Sequence, residues 1–170
     1  SGAVLDVRAL TGSTLNLGAS QTLRGIGIVW GSVNALGTVS PGESIGILTV
    51  TNAVTLGGTT LMELNRTNAA NSDELVAASV AYGGTLTVTN LGPLLQGGET
   101  FQLFSGTPSG AFAATNLPAL APGLSWDVSQ LNVNGRLSIA GQIIPPEISG
   151  LQVAGTTNVL TGIGGGPGAS

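Results

Sequence analysis

The chain has 170 residues, enough for one domain with a core of its own, and carries 8 carboxylates against 4 cations for a net charge of −4. It contains no Cys, no His and no Lys, only Arg8, Arg24, Arg66 and Arg136, which removes the side chains most used for proton transfer near neutrality, thiolate chemistry and tight transition-metal binding, and excludes a disulfide framework. Charged residues are only 7% of the chain, too few for the basic patch that nucleic-acid binding needs, and Thr and Gly interrupt every apolar run well short of a membrane span.

From Ser1 the chain enters in mid-pattern, as expected of a processed protein or a piece of a longer one, so that secretion is inferred only indirectly. Apolar and polar residues then alternate at period two in short runs bracketed by Gly, Pro, Asn or Ser, the signature of strands and turns. Strands are expected at 3–8, 13–17, 22–29, 32–39, 45–51, 53–56 and 59–65. Further ones are expected at 74–81, 84–90, 99–104, 111–115, 124–126, 130–133 and 136–140.

Several runs share a form in which small residues precede a hydroxyl, an apolar anchor and a polar/apolar alternation: "GSTLNL" at 12, "IGILTV" at 45, "GGTTLMEL" at 57, "GGTLTV" at 83, "GGETFQLF" at 97 and "NGRLSI" at 134. Their anchors Leu15, Leu48, Leu61, Leu86, Phe101 and Leu137 fall loosely on multiples of about 11 to 13 residues, a degenerate repeat of stacked turns. In that scheme the glycines make corners, Asn52, Asn90 and Asn134 take left-handed corner positions, Leu86 and Val88 point inward, and Thr85, Thr87 and Thr89 form outward ladders.

The runs "LGTVSPGESIGILTVTNAVTLGGTTLMELNR" (36–66), "SDELV" (72–76), "YGGTLTVTN" (82–90), "GGETFQLFS" (97–105) and "LPALAPGLSWDVSQLNVNGRLSI" (117–139) carry a resemblance over most of the chain. Residues 1 to about 140 resemble modules of bacterial surface proteins built from autotransporter-associated beta strand repeats. The resemblance implies an all-β, right-handed parallel β-solenoid (β-helix) exported to the cell surface, with no catalytic residues. The solenoid is expected over 1–144. A Pro/Gly-rich extension follows over 145–170, with two strands at most; it resembles the opening of a β-sandwich or offers a strand to a neighbour.

Candidate sites are few. Asp73 and Glu74 are adjacent, and neighbours on a strand face opposite ways, so they make a poor glycosidase pair and are better read as a turn opening the next strand. Glu63 and Arg66 are placed to pair at the end of one strand. Trp126 beside Asp127 admits two readings, a sugar stacked on the indole with the carboxylate accepting its hydroxyls, or a ring covering the end of the core beside an Asx turn; the second is preferred. "NRT" (65–67) has the form of a glycosylation sequon. Thr49-x-Thr51 and Thr87-x-Thr89 have the spacing of ice-binding arrays without their regularity.

Lys–Asn crosslinks are excluded, and the scattered carboxylates offer no calcium site; neither cofactor nor metal is expected. The expected function is a non-catalytic, secreted, cell-surface structural protein, a stalk or self-assembling fibre subunit. Its partners are expected to be further copies joined head to tail or adjacent modules of a longer chain, with surface glycans as a further candidate. No helix or charged strand recognisable in the sequence caps either end. In the extension, Leu151, Val153, Val159 and Leu160 are candidates for a docking strand added to the next subunit. The alternative is a carbohydrate-binding or polysaccharide-degrading β-helix domain.

Overall fold

The computed structural model describes residues 2–142 in full and, beyond them, the backbone of 147–154 and 157–163. The protein is mostly β, and its two main sheets are parallel throughout.

The chain makes repeated passes between these sheets. The first pass supplies β1 (Ala3–Asp6), β2 (Thr14–Leu17) and β3 (Thr22–Gly25), and the second β4 (Gly27–Trp30), β5 (Ser32–Ala35) and β6 (Thr38–Pro41). The third supplies β7 (Ile47–Leu56) and β8 (Thr59–Leu64), and the fourth β9 (Glu74–Tyr82) and β10 (Thr85–Asn90). After β11 (Thr100–Gln102), a fifth supplies β12 (Phe104–Gly110) and β13 (Ala114–Asn116). Then come β14 (Leu124–Asp127), a one-turn helix α1 (Leu131–Asn134), β15 (Arg136–Gly141), and β16 (Glu147–Ala154) and β17 (Thr157–Ile163).

Each pass pairs in register with the one before it. In the second sheet the order is β3, β6, β8, β10, β13, and one column of partners reads Thr22, Thr38, Thr59, Thr85, Ala114. In the first sheet β7 is long enough to pair with both β4 and β5, and β9 and β12 follow it; one column there reads Val33, Val54, Val80, Pro108. Inward positions are apolar except Thr60: Val29 beside Val50, Val39 beside Thr60, Leu86 beside Thr60, Val88 beside Met62, all buried. Parallel strands buried on their inner face read as apolar alternations because only that face meets the core.

The glycine pair of "YGGTLTV" turns the corner between β9 and β10. Gly84 has φ +56°, and a Cβ there would lie 1.9 Å from the Gly58 carbonyl oxygen; one on Gly58 would lie 2.1 Å from that of Gly37. The close approach lets the ladder run through the corner, with Thr59 N–H donating to Gly37 O (3.1 Å) and Thr85 N–H to Gly58 O (2.9 Å). On the other side of the stack Gly31 makes the bend at φ +129°. In the third pass that bend becomes a bulge inside β7, where Asn52 N–H donates to Gly31 O (3.0 Å) and Thr51 Oγ1 accepts from Gly31 N–H (2.9 Å).

Several expected elements differ. The run 22–29 is broken at Ile26 between Gly25 (φ +113°) and Gly27 (φ +150°), and 32–39 is broken at the Gly37 corner, whereas 45–51 and 53–56 are one bulged strand. Segment 130–133 belongs to a helix, closed by Gly135 at φ +74°, because four residues are too few to distinguish the two periods. Ser13 is the one non-glycine with positive φ among the described residues, so Asn52, Asn90 and Asn134 do not take the left-handed conformation. Asn90 instead braces the next turn, its Nδ2 donating to Gly92 O and Pro93 O. The anchor scheme misplaces two positions. Leu61 is outward and partners Thr87, and Phe101 partners Leu137 in an antiparallel sheet of β11, β15 and β14.

That sheet and α1 close the C-terminal end, contrary to the expectation that neither end is capped. Gly135 O accepts from Leu103 N–H (2.9 Å) and Phe104 N–H (3.2 Å), and Leu131, Leu137 and Ile139 bury Phe101 and Leu103. Tyr82 of the fourth pass packs with Phe104 and Phe112 of the fifth, ring centroids 5.0 to 5.6 Å apart. Beyond residue 146, β16 and β17 form an antiparallel hairpin in which Leu151 is opposite Leu160 and Gln152 opposite Val159. The expected boundary at 144/145 lies outside the described residues, as do the side chains of Leu151, Val153, Val159 and Leu160.

Candidate functional site

The most unusual group is Asp73, which is fully buried (0% exposed). It sits in the turn that lifts the chain from β8 into β9, where its neighbours are backbone. Its Oδ1 accepts from Gly46 N–H and its Oδ2 from Glu63 N–H, both at 2.8 Å, and its own N–H donates to Glu63 O at 2.8 Å. One carboxyl thus ties the loop before β7, the end of β8 and the start of β9. Burial pushes its pKa up to about 6; the two amide bonds pull the other way, and the nearby Glu63 carboxylate adds to the rise. Glu74 points away and accepts from the Ser105 hydroxyl on β12. Asp73 and Glu74 therefore do not face one another, and Asp73 has no path to a substrate.

Trp126 and Asp127 lie on β14 at the C-terminal end. The indole is half-buried, 6.4 Å between centroids from Phe101, and its Nε1–H donates to Pro118 O at 2.8 Å. Asp127 accepts from Ser129 N–H at 2.9 Å, and the Ser129 and Ser138 contacts hold its carboxyl below the usual range. Both partners' polar atoms are engaged with the chain itself. Trp126→Phe, which keeps the packing and removes the donor, is expected to cost about 1 kcal/mol in urea unfolding.

Arg66 does not pair with Glu63 but crosses to the loop after β10, where it meets Glu99 and donates to Gln96 Oε1 at 2.6 Å. This half-buried contact joins two loops that leave the stack on the same side, and Arg66→Ala is expected to lower stability by about 1 kcal/mol, with the loss reduced in high salt. In the sequon, Asn65 Oδ1 accepts from Thr67 N–H (3.2 Å) and Oγ1 (2.7 Å), an ordinary Asx turn. Thr49 has Ile28 and Val76 as partners, and Thr87 has Leu61 and Asn116, so neither expected threonine pair continues as a ladder. The ladder that exists, Thr22–Thr38–Thr59–Thr85, is a single outward column.

Among the described residues the inner face of the first pass is part-exposed. A cleft of about 320 Å³ runs between β1 and β3 over β4 and β7, its walls including Ala3, Leu5, Leu23, Ile26, Val29 and Leu48, with Arg24 at the rim. Leu5 occupies an inward column beside Val29 and Val50 yet is 43% exposed, since among the described residues β1 pairs only with β4. Sequence reasoning missed this cleft, since Leu5 and Leu23 read like any other inward residue. Another small hollow is lined by Gln96, Gly97, Gly141 and Gln142.

Among the described residues no three His, Cys, Asp or Glu side chains are grouped to hold a metal ion, and no helix is long and apolar enough to cross a membrane. Comparison of the chain with protein families, with curated proteins and with solved structures finds no match.

Proposed function

We propose that this chain is a non-catalytic structural module, a right-handed β-solenoid that serves as a stalk or fibre element on a bacterial cell surface. The observation that carries the reading is the in-register column from Thr22 through Thr38, Thr59 and Thr85 to Ala114, one residue from each of five successive passes. Strands stacked this way contact only the passes above and below, so stability accrues along one axis and length is gained by adding turns. A charge-poor, hydroxyl-rich surface and the resemblance to exported repeat modules support placement outside the cell.

The module joins further copies or adjacent modules through its ends. Deleting 147–170 is expected to leave the fold intact; electron microscopy of the shortened protein then reports whether the extension takes part in assembly, and assemblies that survive the deletion remove it from that role. The alternative, a carbohydrate-binding or polysaccharide-degrading domain, has no cluster of acids in its favour. On a glycan array, binding abolished by Trp126→Ala would move the reading to that alternative; no binding, or binding indifferent to Trp126, supports the structural one.

A further inference from the structure

We propose that Asp73 is an acid-closed latch on the C-terminal cap: when its carboxyl ionises, loop 65–73 comes away from the stack and gives up its hold on β11. The latch belongs to the fold and stands whether or not the chain is a stalk. Three observations lead to it.

The first is the closed seat of the carboxyl. Asp73 is 0% exposed, its two oxygens accept from the Gly46 and Glu63 amides, and a Cβ on Gly42 would lie 2.6 Å from Oδ1, so water reaches the group only if backbone moves. A carboxylate sealed from water with two donors and no cation is penalised, the neutral acid far less.

The second is the charge around it. The segments that pack against Asp73 bring the carboxylates of Glu43 in the turn before β7, Glu63 on β8 and Glu74 on β9, the last accepting from the Ser105 hydroxyl. The cations of this region are engaged elsewhere: Arg24 donates to the Glu43 carbonyl at 3.4 Å, and Arg66 meets Glu99. Burial, with Glu63 adding to it, therefore holds the Asp73 proton up to about 6 against an ordinary 3.8.

The third is the tie between this loop and the cap. Thr67 to Ala70 are exposed, so the middle of the loop has little packing to fix it. Asn71 Nδ2 donates to Thr100 O (2.9 Å) and Ser72 Oγ to Gln102 O (3.0 Å). Both acceptors belong to β11, whose other edge pairs with β15 and whose Phe101 is buried in the cap. A loop that leaves with Asp73 thus frees one of the two edges that hold β11. Because the closed state binds the proton more tightly than the open one, opening is rarest below about pH 4, becomes more frequent as pH rises through 6, and then levels off.

The test is native-state amide exchange of the full chain by NMR from about pH 4 to about pH 7.5, each rate divided by its intrinsic chemical rate. The expected result is that Glu63 and Asp73 in the latch and Leu103 and Ile139 in the cap share one opening that becomes roughly 100-fold more frequent across the range. Thr59 and Thr85, inside the stack, open more rarely at every pH. Asp73→Asn flattens the dependence. Asn71→Ala/Ser72→Ala, which cuts the loop from β11, leaves it at Glu63 and Asp73 and removes it from Leu103 and Ile139. Cap amides indifferent to pH in the wild type, or still pH-dependent in the double variant, overturn the latch, as does a dependence that survives Asp73→Asn. Latch and cap amides that open only as rarely as Thr59 and Thr85 overturn it too, since Asp73 then acts on the whole chain alone. If Asp73→Asn does not fold, the wild-type profile and the double variant decide.

Discussion

Gly84→Ala is expected to lower the unfolding free energy by about 3 kcal/mol, or roughly 6 to 12 °C in melting temperature for a chain of this size. Two effects combine. A side chain at φ +56° is strained in itself, and its Cβ would stand 1.9 Å from the Gly58 carbonyl oxygen, a distance that nothing but backbone movement can relieve. That movement breaks the Thr85 N–H to Gly58 O bond and opens the corner for the passes on both sides. Gly18→Ala is the control, since its nearest neighbour is the flexible end of Gln21 at 3.4 Å and its φ is not in the left-handed region. Thermal unfolding of the two variants should separate them clearly; a Gly84→Ala protein that melts with the wild type would mean the corner is not where the passes meet.

The second large effect is a stability that falls as pH rises. The Asp73 carboxyl has a folded pKa of about 6 against an ordinary value of 3.8. The folded state therefore holds its proton more tightly than the unfolded state does. This contribution is fully present below about pH 4 and is lost as pH rises through 6, by about 3 kcal/mol in all. No cation offsets the buried charge at neutral pH; only the amides of Gly46 and Glu63 do. Asp6 is held down to about 2 by Arg8 and Asp127 is also lowered, so their contributions change at the acid end of the range and with the opposite sign. Wild-type protein is expected to unfold at a higher temperature at pH 4.5 than at pH 7.5, while Asp73→Asn, less stable at the acid end because its amide cannot accept from both N–H groups, loses the slope between those values. Equal slopes in the two proteins would show that Asp73 is ionised throughout.

Much of the strand content is legible in the sequence because one face of each strand meets the core, as in "TLTV" and "TTLMEL", where alternation and burial coincide. The spacing of the passes is not. The turn 42–46 before β7 is shorter than the loop 65–73 before β9, so Thr38, Thr59 and Thr85 share a column without sharing an interval, and anchors chosen by resemblance alone put Leu61 where Thr60 belongs. Strand β12 was hidden because "FSGTPSG" has neither alternation nor propensity; its pairing with β9 holds it extended. The candidate site was less legible still. Asp73 sits in a polar run, "NSDEL", that reads as a solvated turn, and its burial depends on Gly42 leaving room, since a Cβ there would come 2.6 Å from the carboxylate. Nothing local to either stretch announces the other.

The most direct test of the stacked passes is a set of distances. Because the chain has no Cys, single pairs can be introduced and spin-labelled at Thr22 with Thr38, Thr22 with Thr59, and Thr22 with Thr85. Stacking predicts separations that grow by one inter-strand spacing, about 4.8 Å, at each step. Separations that fail to increase in that order, or that grow unevenly by more than the labels' own spread, would contradict the account.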